Sequence, residues 1–300
     1  MEIYDYQIIA NLTSGDGKIE KKLEEVKLFL ENHQLSYRLI KIESYFPIDD
    51  IFEKEKFVIK KGVICLGGDG TVSSAISYML NNQIEAPIGI VPVGTANFIA
   101  SYLKLDCDSR NFDCFLKERV EFFDVGVAEF GKHREYFILG LGLGFERDLL
   151  HLPQKLKKKA GIFSYILNAI SKLVSLEKTS LDLEMDGKFF RKEVCLLTIL
   201  NLHPKILRIF PIFKDKRIKS DDGILNLYLV EYRNYLYAFL GTLVFHFLGK
   251  NNFGLVKSYL VKNLTVSSNK EIGCQIDGEL KGKLPVKISV LNKKVGFFVP

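Results

Sequence analysis

Two short stretches place groups capable of chemistry in the same kind of position. Residues 63–71 read VICLGGDGT and residues 90–100 read IVPVGTANFIA. Each is an apolar run followed by a glycine-containing loop, with Gly-Thr where a helix is expected to start. For the first loop two readings stay open. In one, Gly67, Gly68 and Gly70 make a tight turn and the short carboxylate of Asp69 caps the next helix. In the other, bare amides are brought close to an anion, phosphate above all. A single loop is explained by either reading. Two loops, at the ends of adjacent strands of an open α/β sheet, favour a shared crevice that binds phosphate. The common nucleotide patterns are absent: there is no G-x-x-x-x-G-K-[ST] run, and GLGLGF (140–145) has the wrong glycine spacing. That third stretch reads as a glycine-rich bend in a β region.

The elements that must position these loops follow from periodicity. Tyr6–Ala10 is a short apolar strand ending in the turn NLTSGDG. Lys18–Glu31 sets Ile19, Leu23, Val26 and Leu30 on one helical face. Residues 35–42 alternate as a strand, and 47–56 is expected as a short charged helix. Val63–Leu66 is a continuous apolar run, as in a parallel strand covered on both faces. A helix over Thr71–Asn81, a strand over Ile88–Val91 and a helix from Thr95 to Leu103 complete four β-α units, hence an open, mostly parallel sheet. From about Phe122 the texture becomes strand after strand, interrupted by one helix near 158–176. The chain therefore reads as an α/β domain followed by a mainly antiparallel β domain, with no long linker and a cleft between them.

Composition limits the partners. The 300 residues are 47% hydrophobic and 26% charged, and the net charge of +6 is clustered. QKLKKK (154–159) carries Lys155, Lys157, Lys158 and Lys159, and KDKRIK (214–219) carries four more basic residues. Either cluster is a solvated loop or a contact for anionic lipid headgroups. No nucleic-acid-binding pattern accompanies them. The five cysteines are scattered without a C-x-x-C pair, which points to a reducing compartment and to packed thiols. No signal peptide is expected. The apolar run YLYAFLGTLVFHFL (235–248) is too short to span a bilayer and reads as a buried helix or one touching a membrane surface.

An ordered set of motifs carries a resemblance. NLTSG (11–15), GGDGT (67–71), PVGTANF (92–98), FFDVG (122–126), GLGFERDL (142–149), DDGILNLYLV (221–230) and QIDGE (275–279) resemble, in that order, the diacylglycerol kinase catalytic-domain superfamily. Its members include bacterial diacylglycerol kinases and the sphingosine and ceramide kinases. The resemblance implies α/β plus mainly β: a Rossmann-like N-terminal domain of NAD kinase/diacylglycerol kinase type (1–122, completed by 286–300), then a C-terminal antiparallel β-sandwich (123–285) and an active site in the interdomain cleft. It implies an ATP- and Mg²⁺-dependent lipid kinase that transfers the γ-phosphoryl group to a lipid hydroxyl. It places Asn11, Ser14, Gly67, Gly68, Asp69, Gly70, Thr71, Gly94, Thr95 and Asn97 around the nucleotide. It groups Asp124, Asp277 and Glu279 as carboxylates on the lipid side, with Asp277 as the base. Asp69 is implied as a metal-linked charge through Mg·ATP and Asp222 as a ligand of a structural metal site.

The pattern departs from the family at four places. Phe98 follows Asn97 where aspartate is usual, Asn226 ends DGILN in place of aspartate, Glu146-Arg147 replaces Asp-Ala, and Leu12 stands where proline is customary. Two rivals share features: NAD kinases share GGDGT, and a non-catalytic nucleotide- or lipid-binding relic would tolerate the departures. The resemblance implies a cytoplasmic protein peripherally associated with a membrane through the Lys155–Lys159 region. The lipid itself and the oligomeric state, a homodimer included, stay open.

Overall fold

The computed structural model describes residues 2–14, 17–43, 57–94, 96–105, 112–144, 176–202, 219–244 and 254–300. The helices expected over 47–56 and 158–176, the lysines at 155–159, Thr95 and Glu146-Arg147 lie outside these residues. The chain divides into two compact units: the first comprises Met1–Phe123 with Lys293–Pro300, and the second the described part of Asp124–Asn292.

In the first unit, β1 (Glu2–Asn11), β2 (Tyr37–Ile42), β3 (Phe57–Gly67) and β4 (Ile88–Pro92) are interleaved with helices α1 (Lys18–Asn32), α2 (Asp69–Asn81), α3 (Phe98–Tyr102) and α4 (Asp113–Lys117). All the pairs are parallel. β1 lies beside β2 with Ile8 opposite Leu39, and beside β3 with Ile8 opposite Ile64; β3 lies beside β4 with Leu66 opposite Val91. Strands β1, β3 and β4 therefore end side by side at Asn11, Gly67 and Pro92, the carboxyl edge where open α/β sheets carry ligands. Helix α1 buries the expected Ile19, Leu23, Val26 and Leu30. The end of the chain adds a strand beside β4, with Phe297 opposite Ile88. Phe297 and Phe298 are fully buried, and Phe298 packs near Tyr6 and Phe115.

The remaining strands are β5 (Val120–Phe130), β6 (His133–Phe137), β7 (Gly140–Gly144), β8 (Thr179–Met185), β9 (Lys188–Leu200), β10 (Leu225–Glu231), β11 (Lys257–Val261), β12 (Leu264–Ser267), β13 (Gly273–Ile276), β14 (Glu279–Lys283) and β15 (Val286–Phe298). Within the second unit the described pairs are antiparallel. β9 is central, flanked by β7, β8 and β10; β13 joins β7 to β14, and β12 joins β8 to β15. GLGLG is strand β7 rather than a bend. Leu141 and Leu143 point into a core with Leu181, Leu183, Leu197, Ile199 and Leu227. Helix α5 (Tyr235–Leu243) covers another face of this sheet, where Leu196, Tyr228, Val230 and Ala238 meet. The chain passes between units inside β5 and inside β15, so the return to the first unit begins at Lys293. Among the described residues no helix is long and apolar enough to cross a membrane.

Candidate active site

The two glycine loops of the first unit are backed against each other. A Cβ on Gly94 would stand 2.5 Å from the Gly68 Cα, and a Cβ on Gly68 would stand 3.3 Å from the Gly94 Cα. Glycine is therefore required at 94 by backbone meeting backbone, whatever binds nearby, while at 68 a methyl would fit tightly. Gly67 is tight for a related reason, since a Cβ there would overlap the Thr71 side chain.

Asp69 fastens this contact. It is the first residue of α2, but its carboxylate reaches across to α3: Oδ2 accepts from the Phe98 N–H and Oδ1 from the Ile99 N–H, both at 2.9 Å. Helix α3 has no side-chain cap of its own, and its N-cap, Asn97, sits in the left-handed region at φ 49°. Asp69 thus satisfies amides that a helix start leaves without partners. Burial pushes its carboxyl above the ordinary value, opposed by hydrogen bonds from the same amides. The expected cap is real, but it serves the neighbouring helix. The carboxylate is so occupied that an inner-sphere metal ligand role for Asp69 would compete with these bonds.

The first loop joins the group through Asn11, whose Nδ2 donates to the Thr71 hydroxyl at 3.0 Å, while the Ser14 N–H donates to the Asn11 carbonyl at 3.0 Å. Asn97 Nδ2 donates to the Gly94 carbonyl at 2.6 Å, and its Oδ1 is buried without a partner. Asn11, Ser14, Gly67–Thr71, Gly94 and Asn97 are therefore one assembly at the carboxyl edge of the sheet. An unpaired amide oxygen beside a 13-residue helix whose start exposes Gly70 fits a nucleotide phosphate with its cation and water. Among the described residues no group of three or more His, Cys, Asp or Glu could hold a metal.

The second unit holds the other carboxylates. Asp124 is fully buried on β5, and its Oδ2 accepts from the Gly223 N–H at 2.6 Å. Asp222 accepts from the Ile224 N–H at 3.1 Å. Burial first, and then the charges of Asp124 and Asp221, hold its carboxyl above the ordinary range. Asp277 occupies the turn between β13 and β14 at φ 46°, with Gly278 at φ 87°. The Asp-Gly hairpin expected of a bare turn is present. Yet Asp277 does more than turn: Oδ2 accepts from the Ile138 N–H and Oδ1 from the N–H groups of Leu139 and Gly140, each at 2.9 Å. Glu279 stands otherwise. Its side chain is 58% exposed and pairs with Lys281 at 3.6 Å; Lys281 also meets Glu135 at 3.1 Å, which meets His133 at 2.6 Å. The expected trio is thus divided: Asp124 is fully buried, Asp277 is half-buried on its three amides, and Glu279 lies in a surface ion network.

One participant was not legible in the sequence. Asn201, fully buried at the end of β9, donates through Nδ2 to the carbonyls of Asp124 at 2.8 Å and Ile138 at 2.9 Å. The only signal was a polar amide closing the apolar run VCLLTIL, with nothing to link it to Asp124.

The chain is similar to known proteins in sequence and in fold. The family model described as the diacylglycerol kinase catalytic domain matches residues 5–128. A diacylglycerol kinase of Staphylococcus aureus is 26% identical over 304 residues, covering 98% of this chain and 92% of that protein. One of Staphylococcus haemolyticus is 26% identical over 303 residues, covering 98% and 88%. Among solved structures, a diacylglycerol kinase of Bacillus anthracis shares the fold, with TM-score 0.70 at 18% identity over 100% of this chain and 97% of that one. Another chain of that organism gives 0.75 at 18% identity, with the same coverage. Together with the two backed glycine loops and the buried Asp124, these matches support a likeness of the chain to the diacylglycerol kinase catalytic-domain superfamily, carried by residues 5–128.

Proposed function

We propose that the protein is a lipid kinase that transfers the γ-phosphoryl group of Mg·ATP to a hydroxyl of a diacylglycerol-like lipid. The observation that carries this reading is the Asp69 grip. It locks the GGDGT loop and the GTANF loop into one wall of backbone, as binding a polyphosphate requires. Phosphoryl transfer needs alignment and charge neutralisation more than covalent help. Mg²⁺ supplies charge neutralisation when bound with the nucleotide. Asn11, Thr71 and Asn97 orient the phosphates. In this reading Asp277 takes the proton of the acceptor hydroxyl as the new P–O bond forms, with Asp124 as its neighbour. The relatives' shared name supports the substrate class, and the retained Asp124 and Asp277 support catalysis over a binding relic.

The test is mass spectrometry of products after incubating the purified chain with Mg·ATP and a mixed lipid extract. A lipid gaining one phosphate, dependent on added Mg²⁺, is the expected outcome. Absence of any phosphorylated lipid with every lipid class supplied, while NAD is phosphorylated instead, would replace this reading with its NAD kinase rival.

A further inference from the structure

Residues 138–140 form a short connection into β7 on which all six backbone polar groups are engaged. The three N–H groups donate to Asp277. The Ile138 carbonyl accepts from Asn201 Nδ2, the Leu139 carbonyl from the backbone N–H groups of Asn201 and Leu202, and the Gly140 carbonyl from the Asp277 N–H. The second Nδ2 bond of Asn201 goes to the carbonyl of Asp124 itself. One side chain therefore ties the residue bearing the buried Asp124 carboxylate to the segment gripped by Asp277.

We propose that Asn201 is the positioning residue of the carboxylate site: its amide fixes Asp124 and Asp277 in one frame through residues 138–140. This rests on the kinase reading above and adds a residue to it. Chemistry at the position excludes the obvious substitutes. A carboxylate would set oxygen against two carbonyls, and an apolar group would leave both without their donor. The Oδ1 atom of Asn201 is buried and has no protein partner. An unmet acceptor in a fully buried site is a standing cost, so the amide is kept for its two N–H donors and not for fit alone. Misplacing a reacting group by about 1 Å costs on the order of 10²-fold in rate, and that is the scale on which a loosened frame is read.

The experiment uses the full chain and two variants, Asn201→Ser and Asn201→Asp, with the lipid on which the wild type turns over. Asn201→Ser keeps one short donor. It is expected to remain folded, to lose about 10- to 100-fold in kcat, and to keep its KM for Mg·ATP within about twofold. Combined with Asp277→Asn, it is expected to lose less than the product of the two single losses. Wild-type kcat in a folded Asn201 variant, a change confined to KM, or independent multiplication of losses overturns the proposal. A second readout needs no activity. The amides of residues 138–140 should exchange with solvent only in global unfolding in the wild type, and at least about 10-fold faster in either folded variant. Rapid exchange of these amides in the wild type also overturns the frame. If the wild type phosphorylates no lipid, the kinase reading fails, while the exchange result still decides whether Asn201 holds the frame.

Discussion

Asp69 reaches from the start of one helix to the first amides of another, whereas Asp277 reaches from a hairpin turn to three successive amides entering a strand. Both motifs, G-G-D-G-T and D-G-E, keep their aspartate as a clamp on backbone donors. The settings differ. Asp69 holds two loops that also meet at Gly68 against Gly94 and through the Val93 N–H, which donates to the Gly67 carbonyl at 3.1 Å. The segment Asp277 holds is gripped a second time by Asn201. Two loops of bare backbone share one side-chain clamp, whereas the segment leading into β7 is cross-braced by two side chains.

The largest break of this comparison is expected from Asp277→Asn. An asparagine supplies one acceptor oxygen for three amides and turns its own N–H₂ toward at least one of them. Urea denaturation should show a loss of about 2–4 kcal/mol, and turnover should fall by about 10²–10⁴. A nearly silent variant would mean that Asp277 neither clamps nor accepts a proton. Because the clamp alone predicts a stability loss, kcat must be compared at a temperature where the variant is fully folded.

Asp69→Asn disturbs two amides instead of three, so about 1–2 kcal/mol is expected, with weaker Mg·ATP binding by calorimetry. Unchanged nucleotide affinity would detach the Asp69 grip from the ligand site. Next comes the glycine contact. Gly94→Ala drives a methyl to 2.5 Å from the opposing backbone, while Gly68→Ala leaves 3.3 Å. Overpacking of about 1–3 kcal/mol is expected for the first, with lowered nucleotide affinity, and distinctly less for the second. Equal effects would show that the loops do not bear on each other as described.

The smallest effect is in pH. Burial raises the Asp69 carboxyl above its usual 3.8. A raised folded-state value means that stability is gained as pH falls through it toward 3.8, and lost on the way back up. The stability difference between wild type and Asp69→Asn should therefore shift in favour of the wild type as pH is lowered from 7 toward 4. A flat difference would mean that the amides offset burial in full.

Legibility followed the range of the interactions. The α1 stripe of Ile19, Leu23, Val26 and Leu30 and the parallel strands at 63–66 and 88–91 rest on local periodicity, and the structure shows them with bounds shifted by a few residues. Glycines 67, 68 and 94 were conspicuous, but the reason for 68 and 94 was not, because it lies in the other loop. GLGLG passed for a bend because β7 turns side chains to only one face. Asn201 was invisible: its partners at Asp124 and Ile138 are 77 and 63 residues away, and no spacing rule spans such a gap.

Strand β15 has a consequence for how the molecule is made. Its last residues place Phe297, Phe298 and Val299 in the buried interior of the first unit, where a Cβ on Gly62 would touch the Phe298 ring. The first unit, though encoded first, cannot close its interior until residues 295–299 have been synthesised. During translation it must wait, with the apolar surface around Tyr6 and Phe115 uncovered, while the whole second unit is made. Shortening the chain by these few residues would therefore damage the part of the protein that lies farthest from them in sequence.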